Sequence, residues 1–169
     1  MHYVSWDRSD RENLKLLAEA GPEVLGVFTD ERATVEGEEW ELVTSPESGV
    51  VATRAGSEIV RAQGSLKRDK RIPVEVEGRG YLLVAETSKN WIIDDAAGEK
   101  VGQFTSDHNG VRKAILEFEG ETDLPATDVA ALAWVSREVL EVRKMINSNA
   151  LIAFLVFLSL FVVVVFLMQ

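Results

Sequence analysis

The chain has 169 residues, 18 Lys plus Arg against 28 Asp plus Glu, two His, no Cys and a net charge of −10. The lack of Cys excludes a disulfide framework, a thiolate metal site and a Cys nucleophile, and so acidic a chain is a poor electrostatic partner for nucleic acid. At 46% hydrophobic it carries enough apolar side chains to build a core rather than remain disordered.

The predicted elements begin with a short amphipathic helix over Asp10 to Ala20. Ser9 or Asp10 caps it, Leu14, Leu17 and Ala18 share one face, and Gly21-Pro22 ends it. Val24 to Phe28 follows as an apolar strand. From there to Glu119 the apolar period is mostly two. Thr34 to Glu36 and Trp40 to Val43 alternate around Gly37. Further strands are Gly49 to Arg54, Glu58 to Ala62, Ile72 to Val76, Tyr81 to Glu86, Asn90 to Asp94, Lys100 to Thr105 and Val111 to Glu119. Clusters of Gly, Asp, Asn and Ser separate them, as at Asp107-His108-Asn109-Gly110. Short strands at such regular spacing predict a mainly β fold, an antiparallel barrel or sandwich of about 8–9 strands. No strand-helix-strand rhythm appears, so a doubly wound nucleotide fold is disfavoured.

Thr127 or Asp128 caps a second helix. Leu132, Val135, Val139, Val142 and Ile146 form a stripe at alternating spacings of three and four, with Arg137, Glu138, Glu141 and Lys144 opposite. Its predicted place is against the sheet or across the barrel; docking to a partner helix is the alternative. Asn147-Ser148-Asn149 is either a hinge or a stretch of continuing helix.

The stretch Ala150 to Met168 has 18 apolar residues of 19, with Ser159 the exception. As a helix it spans roughly 28 Å, close to the hydrocarbon thickness of a bilayer. It is apolar on every face, which disfavours a buried core helix. It is read as a single transmembrane anchor, with Ala150, Leu151, Phe154, Phe157, Phe161 and Val165 among its lipid-facing or partner-facing residues. The span holds no ionisable residue, so it offers no ion path by itself. The domain plan is thus an N-terminal helical segment 1–22, a β domain 23–124, an amphipathic helix 125–149 and an anchor 150–168. Arg137, Arg143 and Lys144 precede the span and no base follows it, which by the positive-inside rule places the N-terminal domain in the cytoplasm.

The segment Trp91-Ile92-Ile93-Asp94-Asp95-Ala96-Ala97-Gly98-Glu99-Lys100-Val101-Gly102-Gln103-Phe104 resembles the strand-turn-strand unit of the tubby C-terminal, LURP-one and phospholipid-scramblase superfamily. That resemblance implies a closed antiparallel barrel followed by a hydrophobic C-terminal helix. It carries over no functional residue. The chain has no Cys for the palmitoylation of scramblases, no Pro-rich N-terminus and no match to the lipid-headgroup site of tubby. The size, single span and acidic head are also similar to those of small accessory subunits of bacterial respiratory complexes.

Chemistry is sparse along the chain. His2 stands at the start and His108 in a turn, neither beside a nucleophile motif. Asp107-His108-Asn109 and Asp94-Asp95 offer oxygens, but Asp and Asn are ordinary turn residues. No metal, cofactor or catalytic residue is predicted. The one charge anomaly is Lys67-Arg68-Asp69-Lys70-Arg71, four bases in five residues. It is either a solvated loop or, with Arg143 and Lys144, a contact for anionic headgroups or an acidic partner. The expected function is that of a non-enzymatic, tail-anchored accessory subunit of an integral membrane complex, with a respiratory assembly as a plausible host. The alternative is a membrane-tethered, LURP-one-like module that binds lipid or a small ligand. A large apolar pocket in the barrel would favour the module, and a barrel plugged by the second helix would favour the subunit.

Overall fold

The computed structural model describes residues 1–87, 89–105 and 115–167. The chain order is β1 (Tyr3–Asp7), β2 (Leu14–Ala18), β3 (Val24–Phe28), β4 (Arg32–Val35), β5 (Glu38–Ser45), β6 (Gly49–Arg54), β7 (Ser57–Gln63), β8 (Arg71–Val76), β9 (Arg79–Ala85), β10 (Asn90–Asp95), β11 (Lys100–Thr105), β12 (Ile115–Phe118) and α1 (Ala126–Leu167). Each strand pairs antiparallel with its chain neighbour, and β1 closes on β12, Val4 opposite Leu116. Closure leaves no unpaired sheet edge. Of the two predicted architectures, barrel and sandwich, the chain adopts the barrel.

Alternation explains the strands. In β8 the order exposed-buried repeats three times, with Ile72, Val74 and Val76 turned inward. Three hairpin turns are two residues long, Glu36-Gly37, Ala55-Gly56 and Glu77-Gly78, and all six residues have positive φ. That is the turn whose twist matches paired strands. At Gly49 the backbones approach so closely that an added Cβ would lie 1.9 Å from the carbonyl oxygen of Ala62.

Among the described residues the strand count is 12 rather than 8–9. Part of the difference is the N-terminal segment, which is not helical. Leu14 and Leu16 point into the core and Lys15 points out, so 14–18 is a strand. Asp10 caps a turn instead of a helix: its Oδ1 accepts from the backbone N–H of Glu12 at 2.9 Å and of Asn13 at 3.3 Å. The predicted strand over 111–119 is described only from Ile115 onward.

A barrel of about eight strands is filled by side chains alone, and a larger one leaves a lumen. Here α1 fills it. Thr127 to Arg137 are eleven consecutive buried residues, which covers every face of a helix. The helix touches β8 on one side of the ring and β12, β3 and β4 on the other. Val129, Leu132, Val135, Val139 and Val142 are nearly inaccessible. At about 2 kcal/mol for each buried side chain, they stabilise the arrangement by on the order of 10 kcal/mol. All four Trp are core residues, each 1% exposed. Trp6 meets Phe28 edge to face at 5.1 Å and Trp91 stacks on Phe104 at 5.7 Å.

The predicted amphipathic helix and the predicted anchor form one element. α1 continues through 147–149 without a break and spans 42 residues, about 63 Å at 1.5 Å per residue. Among the described residues no helix is long and apolar enough to cross a membrane. Of the apolar run 150–168, the side chains of Ala150, Ala153 and 161–167 and all of Met168 lie outside the described set, and so do the predicted anchor contacts Phe161 and Val165. Within Leu151–Leu160, eight large apolar side chains are between 40% and 66% exposed.

Candidate functional site

In an up-and-down barrel, successive connections fall at alternate ends. α1 begins at the end that carries the β8–β9 turn, here termed proximal, and leaves at the distal end beside the β7–β8 loop. The two ends hold the helix differently.

The proximal contact is a buried carboxylate. Asp128, in the first turn of α1, is fully buried. It accepts from Arg79 Nε at 2.7 Å, from a second nitrogen of the same guanidinium, and from the Tyr81 hydroxyl. Arg79 also reaches Glu77 at 3.2 Å. Burial first, then the bond to Asp128, pushes the Tyr81 phenol above its usual range. A negative group in the first turn also suits the helix dipole. No feature of the sequence linked residues 49 positions apart, so this cluster went unpredicted.

The distal contact is a collar. Arg137 lies over Trp6 at 5.7 Å and donates to both carboxylate oxygens of Glu141 at 3.1 Å. It was expected on the face opposite the apolar stripe and is only 6% exposed. Thr44 donates to Glu138 at 3.1 Å, and Arg8 pairs with Glu141 at 3.6 Å. Burial pushes the Glu138 carboxyl above its usual range, against the nearby positive charge of Arg137. Across the helix, Arg143 stacks on Trp91 at 4.7 Å and donates to the backbone carbonyl of Asp69 at 2.6 Å. Burial lowers the pKa of its guanidinium.

That last bond joins the helix to the basic loop. Lys67, Arg68 and Lys70 lie in the β7–β8 loop and Arg71 opens β8. Asp69, the one acid of the run, is half-buried and its Oδ2 accepts from the Ser65 N–H at 2.8 Å. Lys67 pairs with Glu47 at 2.7 Å. Arg68, Lys70 and Arg71 are exposed and form no ion pair among the described residues. The structure thus brings five of the six predicted contact residues to the distal end: Arg143 as the strut that holds the loop, Lys67, Arg68 and Lys70 on it, and Arg71 at the start of β8. Lys144 is exposed one residue beyond the strut.

The charge of the two ends differs. The proximal connections, 19–23, 36–37, 55–56, 77–78, 96–99 and 119–125, hold eight acids (Glu19, Glu23, Glu36, Glu77, Glu99, Glu119, Glu121 and Asp123) and no base. The described distal connections, 8–13, 29–31, 46–48, 64–70, 86–87 and 89, hold six bases and seven acids. The side chains of these connections therefore sum to −8 and −1, and the Met1 ammonium, paired with Glu121 at 3.2 Å, adds one positive charge to the proximal end.

An open groove of about 290 Å³ lies on the distal part of β10 and β11, between Trp91, Phe104, Glu86 and Thr105. The segment 106–114 lies outside the described residues. His108 and the turn Asp107 to Gly110 fall in that segment. Asp95 does turn chemistry: its Oδ1 accepts from the N–H of Ala97 at 2.8 Å and of Glu99 at 3.0 Å. Among the described residues no three His, Asp or Glu converge to hold a metal. No known protein family, curated protein or solved structure matches the chain.

Proposed function

We propose that this chain is a non-catalytic head held at a membrane by the outward extension of its own central helix, and that it serves as an accessory subunit of an integral membrane assembly. The observation that carries this reading is the double use of α1. Its first three turns fill the barrel, and the same helix continues into a stretch whose large apolar side chains are exposed. Contiguous apolar surface beyond a few hundred Å² marks a membrane or protein contact. The sequence of 150–168 supports a bilayer as the environment, with flanking bases that orient the head toward the cytoplasm. The span's Phe, Leu and Val surface would pack against partner helices.

The filled lumen favours this reading over the LURP-one-like binding module. A lipid or small ligand could enter the barrel only by displacing Leu132, Trp134 and Val135, whose burial helps hold the fold together. The superfamily resemblance remains a proposal about ancestry, supported by the closed barrel alone.

Two steps test the reading. The full chain, expressed in its native cell, should stay in the membrane pellet through an alkaline carbonate wash, and Phe154→Glu with Phe157→Glu should release it. Mild detergent extraction should then yield it with a fixed stoichiometric set of membrane subunits. Release of the unaltered chain by carbonate would end the anchor reading, and recovery as a lone subunit would end the accessory one.

A further inference from the structure

We infer that the β7–β8 loop is a lipid-contact surface: Arg68, Lys70 and Arg71 rest on anionic phospholipid headgroups, and Arg143 of the central helix sets the loop at that height. This rests on the proposed anchor and adds what the head does beside it.

Three observations converge on it. The first is position. Arg143 is seven residues before Ala150, so the loop carbonyl that it holds lies about 10 Å along the helix axis from the start of the apolar run. The headgroup layer is about 5–8 Å thick on each side of the hydrocarbon, and electrostatic attraction reaches about 8–10 Å at physiological salt. The loop's long side chains fall within that range. The second is display. Asp69 is half-buried and accepts from the Ser65 N–H through one carboxylate oxygen, so the exposed side chains of the run 67–71 are all bases. Lys67 is paired to Glu47, which leaves three exposed bases with no ion pair among the described residues. Of the other acids at this end, Glu86 lies in the neighbouring β9–β10 connection, Asp30 and Glu31 sit about a third of the way round the barrel, and Asp10 and Glu12 sit on the far side. The third is polarity. The opposite end has eight acids and no base in its connections, so an anionic surface repels that end and favours the distal one.

A basic base-rich surface also fits an acidic protein. The lipid is favoured because the apolar continuation of the same helix carries the loop to the bilayer whether or not a protein partner is present.

The test uses the full chain in nanodiscs, one set of neutral phosphatidylcholine and one with about a third phosphatidylserine, read by backbone hydrogen exchange of residues 64–71. Exchange in this loop should be slowed tenfold or more in the anionic discs, well inside the roughly hundredfold bias that three bases give near such a surface. The effect should vanish at high salt and in the triple variant Arg68→Gln, Lys70→Gln, Arg71→Gln, whose barrel core is untouched. Equal exchange in the two discs would overturn the inference while leaving the anchor intact. A chain that fails to enter discs of either kind would overturn the anchor and the inference together.

Discussion

Replacing Asp128 with Ala removes the carboxylate that ties the start of the central helix to the barrel wall. Three donors lose their acceptor: two guanidinium nitrogens of Arg79 and the Tyr81 hydroxyl. The tyrosine is 7% exposed, so its orphaned hydroxyl costs about 1–2 kcal/mol. The Arg79 side chain is 42% exposed and keeps Glu77, so its share is discounted to about 1 kcal/mol. The lost charge at the helix N-terminus adds about 0.5 kcal/mol. The sum is about 3 kcal/mol, at the low edge of what breaking a buried ion pair costs. At about 3 °C per kcal/mol for a chain of this size, Tm should fall by about 10 °C. Asp128→Asn, which keeps the shape and one acceptor, should lose about half as much, and Tyr81→Phe about 1 kcal/mol. Thermal unfolding of the full chain in detergent micelles, followed by far-UV circular dichroism, gives these values. An Asp128→Ala protein that melts within about 1 °C of the parent would refute the claim that this carboxylate locks the helix into the barrel.

Trp134 is 1% exposed on the segment of α1 inside the lumen, so Trp134→Ala should cost about 4 kcal/mol and lower Tm by about 12 °C in the same assay. Gly49→Ala should be worse tolerated than Gly37→Ala: the first drives a methyl into the Ala62 carbonyl, whereas the second meets nothing within 4 Å and bears only the strain of positive φ, about 1–2 kcal/mol. Glu138 has a folded-state pKa raised above its usual 4.5 by burial, so the folded state holds the proton more tightly than the unfolded one. Its contribution to stability is therefore greatest at low pH and is lost as pH rises from 4.5 through the raised value. The stability difference between the parent and Glu138→Gln, measured by urea unfolding across that window, should move against the parent as pH rises; a flat difference would contradict the assignment.

The strands after residue 23 were legible because an antiparallel barrel with one solvated face writes itself as alternation, clearest in Ile72, Val74 and Val76. The N-terminal segment was misread for a physical reason. Leu14, Leu17 and Ala18 have helical spacing, and an Asp10 that caps a turn makes the same backbone bonds as one that caps a helix. The pairings that decide the matter, Trp6 with Leu16 and Leu14 with Phe28, come from residues on neighbouring strands. The stripe from Leu132 to Ile146 suggested a one-sided helix, yet Val129 to Val135 is seven apolar residues in a row, and the polar face begins only near Arg137. That run was the sign of a helix covered on every side. The basic loop was visible as composition, but its link to the helix through Arg143 and Asp69 spans 74 positions and became visible only in three dimensions.

One helix forms the core of the barrel, and the proposed function makes its continuation the approach to a bilayer. Because the chain has no Cys, a single Val156→Cys variant gives one labelling site on the exposed apolar stretch. A nitroxide attached there, with the full chain in lipid nanodiscs, reports its surroundings by collision with oxygen, which concentrates in lipid, and with a polar nickel chelate, which stays in water. A membrane-embedded helix gives high oxygen and low nickel accessibility at this position. A probe reached readily by the nickel chelate would place Val156 in water and contradict a bilayer-embedded helix.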